Sequence, residues 1–253
     1  MNTIKIKFFQ NIAGAWIFYT TFPRIPFIKP RFENIAQFSP LIGLIIGCIQ
    51  SLILNFFVHI SWPLIASISI SISSGYLITG GLHLDGLMDT FDGLYAGKKR
   101  MLKAMKDSRV GSFGVIAFTL IFLIQFASLI KLNSQIVYFL PICLFWGRYS
   151  TLVYINNYKY INKKSKSISH KKDWRGIWAE SLVPISSLII FLLMISSAIN
   201  TYKNLLLLSI GILISILIPT LMGKRIKGFN GDSLGANLVI VETIMIFVHS
   251  LIL

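Results

Sequence analysis

Runs of roughly 18–25 mostly apolar residues recur along this 253-residue chain, each long enough to cross a hydrocarbon core as a helix. Seven such stretches lie at about 40–59, 62–82, 111–131, 135–155, 181–199, 204–222 and 235–253. Composition agrees: 55% of residues are hydrophobic and 13% charged, the latter about half the usual share of a soluble domain. The reading is an all-α fold, a polytopic helical membrane protein with about seven transmembrane helices in a single integral membrane domain, 1–253.

The net charge of +15 raises a nucleic-acid reading, but basic residues of membrane proteins gather in cytoplasmic loops. The arm at 1–39 holds five (Lys5, Lys7, Arg24, Lys29, Arg31), the 83–110 segment six, the 156–180 loop seven and the 223–234 loop three, together 21 of 24. Lys131 and Lys203 stand opposite, and Arg148 lies inside a span. This asymmetry puts the N-terminus and the long loops in the cytoplasm, and needs no nucleic-acid partner. A re-entrant last helix would change the number of spans but not the side of the loops. The N-terminal arm reads as an uncleaved segment lying at the interface or dipping into the bilayer. Cys48 and Cys143 fall in apolar stretches and read as small core residues. Gly43 and Gly47 form a G-x-x-x-G that lets two helices approach closely. The loop "NKKSKSISHKKDWR" reads as a solvated face toward anionic lipid.

Only nine residues are acidic, and Asp85, Asp89 and Asp92 crowd into "GGLHLDGLMDTFDGLYAGKKR", residues 80–100, with Asp107 shortly after. On a helix the first three project within an arc of about 60°. Carboxylates so placed repel one another at a membrane interface unless something cationic joins them. Mg²⁺ is the economical partner, because it takes carboxylate oxygens and shares its other positions with phosphates. Capping of a helix end explains one aspartate but not three, and a proton or cation transporter would also use intramembrane carboxylates. The neighbouring "KKRMLKAMKDSRVGSFG", 98–114, carries six basic residues, which suit a phosphorylated ligand and not a cation pathway. Metal-dependent phosphotransfer at the membrane surface is therefore preferred. Asp85, Asp89 and Asp92 are the expected metal ligands, and Asp107 joins them as a catalytic candidate. Lys106, Arg109 and Arg148 are the expected phosphate contacts.

Arg148, in "FWGRYS", is costly inside a span unless it meets an anion, pairs, or snorkels to the headgroups. Glu242, in the last span, can pair with it or belong to the site. "GKRIKGFNGDSLGAN", 223–237, is a second basic, glycine-rich turn, which adds Lys224, Arg225 and Asp232 as substrate-binding candidates. His83 stands two residues before Asp85 and reads as a ligand, a base or a hydrogen-bonding side chain; His59, His170 and His249 receive no role.

In "GGLHLDGLMDTFDGL" (80–94) and "RMLKAMKDSRVGSFGV" (100–115) the chain resembles the adenosylcobinamide-GDP ribazoletransferases, also called cobalamin-5′-phosphate synthases. The resemblance extends to "FSPLIGLIIG" (38–47) and, more weakly, to "FYTTFPRIP" (18–26) and "GFNGDSLGA" (228–236). Phe91 replaces a usually small residue, and Asn230 a usual threonine. The resemblance implies a Mg²⁺-assisted joining of adenosylcobinamide-GDP to α-ribazole or its 5′-phosphate, with release of GMP. This would be the last assembly step of cobalamin, at a cytoplasmic-membrane site open to the cytoplasm. CDP-alcohol phosphatidyltransferases also cluster aspartates, but as D-x-x-D-G-x-x-A-R, whereas this chain reads D-G-x-x-D-x-x-D-G and lacks the Ala-Arg pair.

Overall fold

The computed structural model describes residues 3–132, 136–161, 173–195 and 201–252. They form α1 (Thr3–Tyr19), a 3₁₀ turn (Ile35–Phe38), α2 (Ser39–His59), α3 (Leu64–Ile78), α4 (Leu82–Tyr95), α5 (Met101–Ala104), α6 (Ser112–Leu132), α7 (Ile136–Asn157), α8 (Ile177–Ile195), α9 (Thr201–Ile226) and α10 (Gly231–Ile252). Six of them, α2 and α6 to α10, are long and apolar enough to span a membrane. A seventh is reached by joining α3 to α4 across a bend of 86°. The all-α membrane architecture expected from the sequence is present.

One expected span is corrected. The apolar run at 62–82 is not a continuous helix: α3 ends at Ile78, and Gly80 and Gly81 follow with φ of +63° and +71°. Two consecutive left-handed residues are accessible mainly to glycine, and they swing the chain into α4. The 83–110 segment, counted as a loop for its charge, therefore begins as a 14-residue helix followed by the short α5. The described part of the arm, 3–39, is built on α1. The middle of the 156–180 loop, including His170, lies outside the described residues.

Helix α7 is the centre of the bundle. In its span 83% of residues are buried, against 22% for α8 and 28% for α6, which present their apolar side chains outward. It packs on α2, α9 and α10. The G-x-x-x-G of α2 serves that contact, since a Cβ on Gly43 would stand 2.5 Å from the Leu144 carbonyl oxygen and one on Gly47 closer still to the Pro141 Cα. Cys143 is buried in this core and Cys48 half-buried, both as free thiols.

Polar side chains tie the apolar helices together. Gln50 Nε2 on α2 donates to the Ser71 carbonyl of α3 at 2.9 Å, and Ser71 Oγ returns a bond to the Gln50 carbonyl. Gln125 on α6 accepts from the Tyr76 hydroxyl at 3.0 Å and donates to Thr243 of α10 at 2.8 Å. Each such bond between membrane helices contributes on the order of 0.6 kcal/mol. Together they fix the helix order around the site.

Candidate active site

The site forms where the N-terminal halves of α4 and α10 cross. A Cβ on Gly86 would lie 2.7 Å from the Asp232 carbonyl oxygen, and one on Gly235 3.2 Å from the His83 Cα. Only glycines permit backbones this close. The crossing places Asp85 of α4 and Asp232 of α10 on the wall of one cavity, while the charges of Asp85, Asp232 and Asp92 all act on Asp89. The 223–237 turn and the aspartate helix thus converge, although more than 120 residues separate them. Asp232 is held by its own turn. Asn230 caps α10 by accepting from the Ser233 N–H through Oδ1 at 2.9 Å, Ser233 Oγ accepts from the Asn230 N–H at 2.9 Å, and Asn230 Nδ2 donates to Asp232 Oδ2 at 2.9 Å. Asparagine is a strong capping residue.

The other candidates fall into different settings. Asp92 accepts from the N–H of Gly111 and of Gly114, each at 2.8 Å, one on each carboxylate oxygen. It therefore caps the start of α6, with lone pairs left over. Asp107 and Arg109 form a bidentate pair: Nε donates to Oδ1 at 3.0 Å and Nη2 to Oδ2 at 2.7 Å. The side-chain and backbone hydrogen bonds from Arg109 hold the Asp107 carboxyl down at about 2, so it stays ionised and is a poor proton acceptor. The Arg109 side chain is 87% exposed and its outer edge is open to a ligand. Lys106 is close enough for its charge to act on Asp232. Arg148 is 2% exposed, and its Nη1 donates to Glu242 Oε1 at 2.5 Å. The anion it meets is the Glu242 carboxylate of α10. Lys224 and Arg225 end α9, exposed and without an ion pair among the described residues. His83 is buried, and its Nε2 has no hydrogen-bond partner among the described residues.

Beside the acidic crossing lies a cavity of about 410 Å³. It is lined by the polar side chains of Ser39, His83, Asp85, Thr151 and Asp232 and otherwise mainly by apolar and aromatic ones, Tyr160, Phe229 and Leu238 among them. Sequence reasoning missed Tyr160 and Phe229. The first lies in a loop that matches no motif, and the second sits inside the 228–236 block without a chemical group to draw notice.

The family model of cobalamin-5-phosphate synthase matches residues 11–250. The chain belongs to this family. It is 46% identical to an adenosylcobinamide-GDP ribazoletransferase from one strain of Prochlorococcus marinus, over 96% of both chains. It is 40% identical to the protein of that name from a second P. marinus strain, MIT 9313, again over 96% of both. A relative of the same name from Clostridium tetani is 33% identical over 96% of this chain and 98% of its own. No solved structure matches.

Among the described residues no three His, Cys, Asp or Glu side chains are arranged to hold a metal ion by themselves. Mg²⁺ does not require such a cage, since it is usually held by one or two carboxylates with water and substrate phosphate filling the rest. The donors at the crossing are all hard carboxylate oxygens: the charges of Asp85 and Asp232 act on Asp89, that of Asp85 acts on Asp232, and that of Lys106 opposes Asp232. That donor set fits Mg²⁺ bound together with a phosphorylated substrate.

Proposed function

We propose that this family member joins adenosylcobinamide-GDP to α-ribazole or its 5′-phosphate and releases GMP, in the last assembly step of cobalamin. The observation that carries the reading is the crossing of α4 and α10, which faces Asp85 and Asp232 onto one cavity next to Lys106. A ribazole hydroxyl oxygen bonds to the phosphorus on the cobinamide side and gives up its proton. The bond from that phosphorus to the bridging oxygen breaks, and GMP leaves with that oxygen and its electron pair. The products are a phosphodiester and GMP.

One or two of the carboxylates of Asp85, Asp89 and Asp232 would hold Mg²⁺ together with substrate phosphate, and the ion when bound would draw charge off the pyrophosphate oxygens. Lys106 and the open edge of Arg109 bind phosphate oxygens, and Asp107 orients the Arg109 fork. The glycine-packed crossing keeps the acidic wall at a fixed separation from the cavity, which is positioning in the sense that lowers a bimolecular barrier. Asp92, tied to the start of α6, anchors the acidic helix against the segment carrying Arg109. The site opens to the cytoplasm and the protein resides in the cytoplasmic membrane. The basic loops support this placement, as does the supply of nucleotide substrates on that side.

The test is purified protein in lipid given adenosylcobinamide-GDP, α-ribazole and Mg²⁺, with GMP measured. Release that needs both substrates is transfer. Release without ribazole is hydrolysis, and no release favours transport through the acidic site.

A further inference from the structure

We infer that the cavity beside Asp85 and Asp232 is the subsite of the acceptor nucleoside, and that Tyr160 and Phe229 form the aromatic shelf on which its flat base rests. This rests on the transfer reaction proposed above.

Size is the first argument. At about 410 Å³, the cavity falls in the lower part of the range of small-molecule pockets, roughly 300–1,000 Å³. It has room for one nucleoside and none for a corrinoid, which must stay outside with its pyrophosphate reaching in. Chemistry is the second. Of the two bases in the reaction, guanine carries donors and acceptors along its edge that a buried site must satisfy, whereas the benzimidazole of ribazole is almost wholly apolar. Besides Ser39, His83, Asp85, Thr151 and Asp232 the walls are aromatic and aliphatic, with Tyr160, Phe229, Ile155 and Leu238 among them. Such largely apolar walls cover a benzimidazole well, while guanine would have to compete with phosphate and metal for the few polar groups present.

Rigidity is the third. The Tyr160 and Phe229 rings stand 5.4 Å apart at 68°. Their backbones are paired, with the Phe229 N–H donating to the Lys159 carbonyl at 3.0 Å and the Ile161 N–H to the Phe229 carbonyl at 2.9 Å. Behind them Tyr154 lies 5.9 Å from Phe229, and its hydroxyl donates to the Gly228 carbonyl at 3.1 Å. Phe229 is 1% exposed while Tyr160 is only partly covered, so Tyr160 offers the free face and Phe229 braces it. The shelf is built before the ligand arrives, which spares the ordering that a flexible ring would require. It also joins the end of α7 to the turn bearing Asp232, and so sets the base and the acidic wall in one frame.

Tyr160→Ala, Tyr160→Phe and Tyr160→Trp test this in lipid, with each substrate varied at saturation of the other. Stacking of a base on an aromatic side chain predicts a rise of about tenfold or more in KM for ribazole in Tyr160→Ala. KM for the corrinoid nucleotide should stay unchanged, and Tyr160→Phe should stay near wild type. A ribazole KM within twofold of wild type in folded Tyr160→Ala, or a rise that falls on the corrinoid nucleotide instead, overturns the inference. Tyr160→Trp supplies a readout free of turnover: its added fluorescence should be quenched by ribazole and not by GMP. Quenching by GMP alone, or by neither, also overturns it. A wild-type protein that releases no GMP speaks against the transfer reaction, while the ribazole quench still decides the subsite.

Discussion

Asp85 and Asp232 share one cavity wall because Gly86, beside the first, leaves no space between its own backbone and that of the second. A methyl group there would meet the Asp232 carbonyl oxygen at 2.7 Å, closer than atoms tolerate, so the helices must part. Displacements of about 1 Å at a reacting centre can lower turnover about 100-fold. We expect Gly86→Ala to lower kcat at least about tenfold while the purified protein keeps its helical circular dichroism. Wild-type kcat would show that the crossing can loosen without harm.

Asp89 and Asp92 separate two roles that the sequence alone merges. Asp89 lies under the charges of three other aspartates, so Asp89→Asn removes repulsion and should leave the melting temperature unchanged or raised while abolishing Mg²⁺-dependent GMP release. Normal activity across a Mg²⁺ titration would remove Asp89 from the metal site.

Asp92→Ala takes away the acceptor of two backbone N–H groups at the start of α6. Loss of a cap costs on the order of 1 kcal/mol, and more when buried donors are left unpaired. We expect a measurable drop in thermal stability for Asp92→Ala and a smaller one for Asp92→Asn, which keeps one oxygen. Equal melting curves for all three proteins would deny the cap.

Arg148 and Glu242 form a pair buried among helices. Removing one member strands a charge, which costs roughly 3–5 kcal/mol, whereas removing both is often close to neutral. Arg148→Met should therefore destabilise strongly, and Arg148→Met with Glu242→Gln should recover most of the loss in detergent melting. If Arg148→Met alone stayed stable but lost affinity for the corrinoid nucleotide, the guanidinium would belong to the substrate and not to Glu242.

Sidedness is read by impermeant thiol labelling of single cysteines, with Cys48 and Cys143 replaced. Ser108 and Lys227 are exposed and suitable, whereas Ser233 is fully buried in the α10 cap and would report nothing. We expect Ser108→Cys and Lys227→Cys to react only from the cytoplasmic side. Labelling from outside intact cells would turn the site over.

Hydropathy carried most of the fold, because a spanning helix must be apolar along its length whatever it packs against. It failed at Gly80–Gly81, where the apolar run continues through a turn that depends on two left-handed residues. The acidic cluster was legible because carboxylates are rare in this chain and costly near lipid. The pairing of Arg148 with Glu242 was one of two open readings for the same reason. Other relationships were hidden. Asp92 meets its partners 19 and 22 residues away through backbone N–H groups that no side chain advertises. Tyr160 and Phe229 join through a pairing of two connections. Contacts made by backbone, or by apolar rings distant in sequence, leave no local pattern to read.

Helix α3 has only 15 residues, about 22 Å at roughly 1.5 Å per residue, against a hydrocarbon core of about 30 Å. Where α3 meets lipid, the bilayer must thin, or the 86° corner and the start of α4 must sit below the headgroups. The depth of Asp85 is thereby tied to acyl-chain length. A thicker bilayer would draw the acidic helix further from water, and a thinner one would leave it nearer the surface.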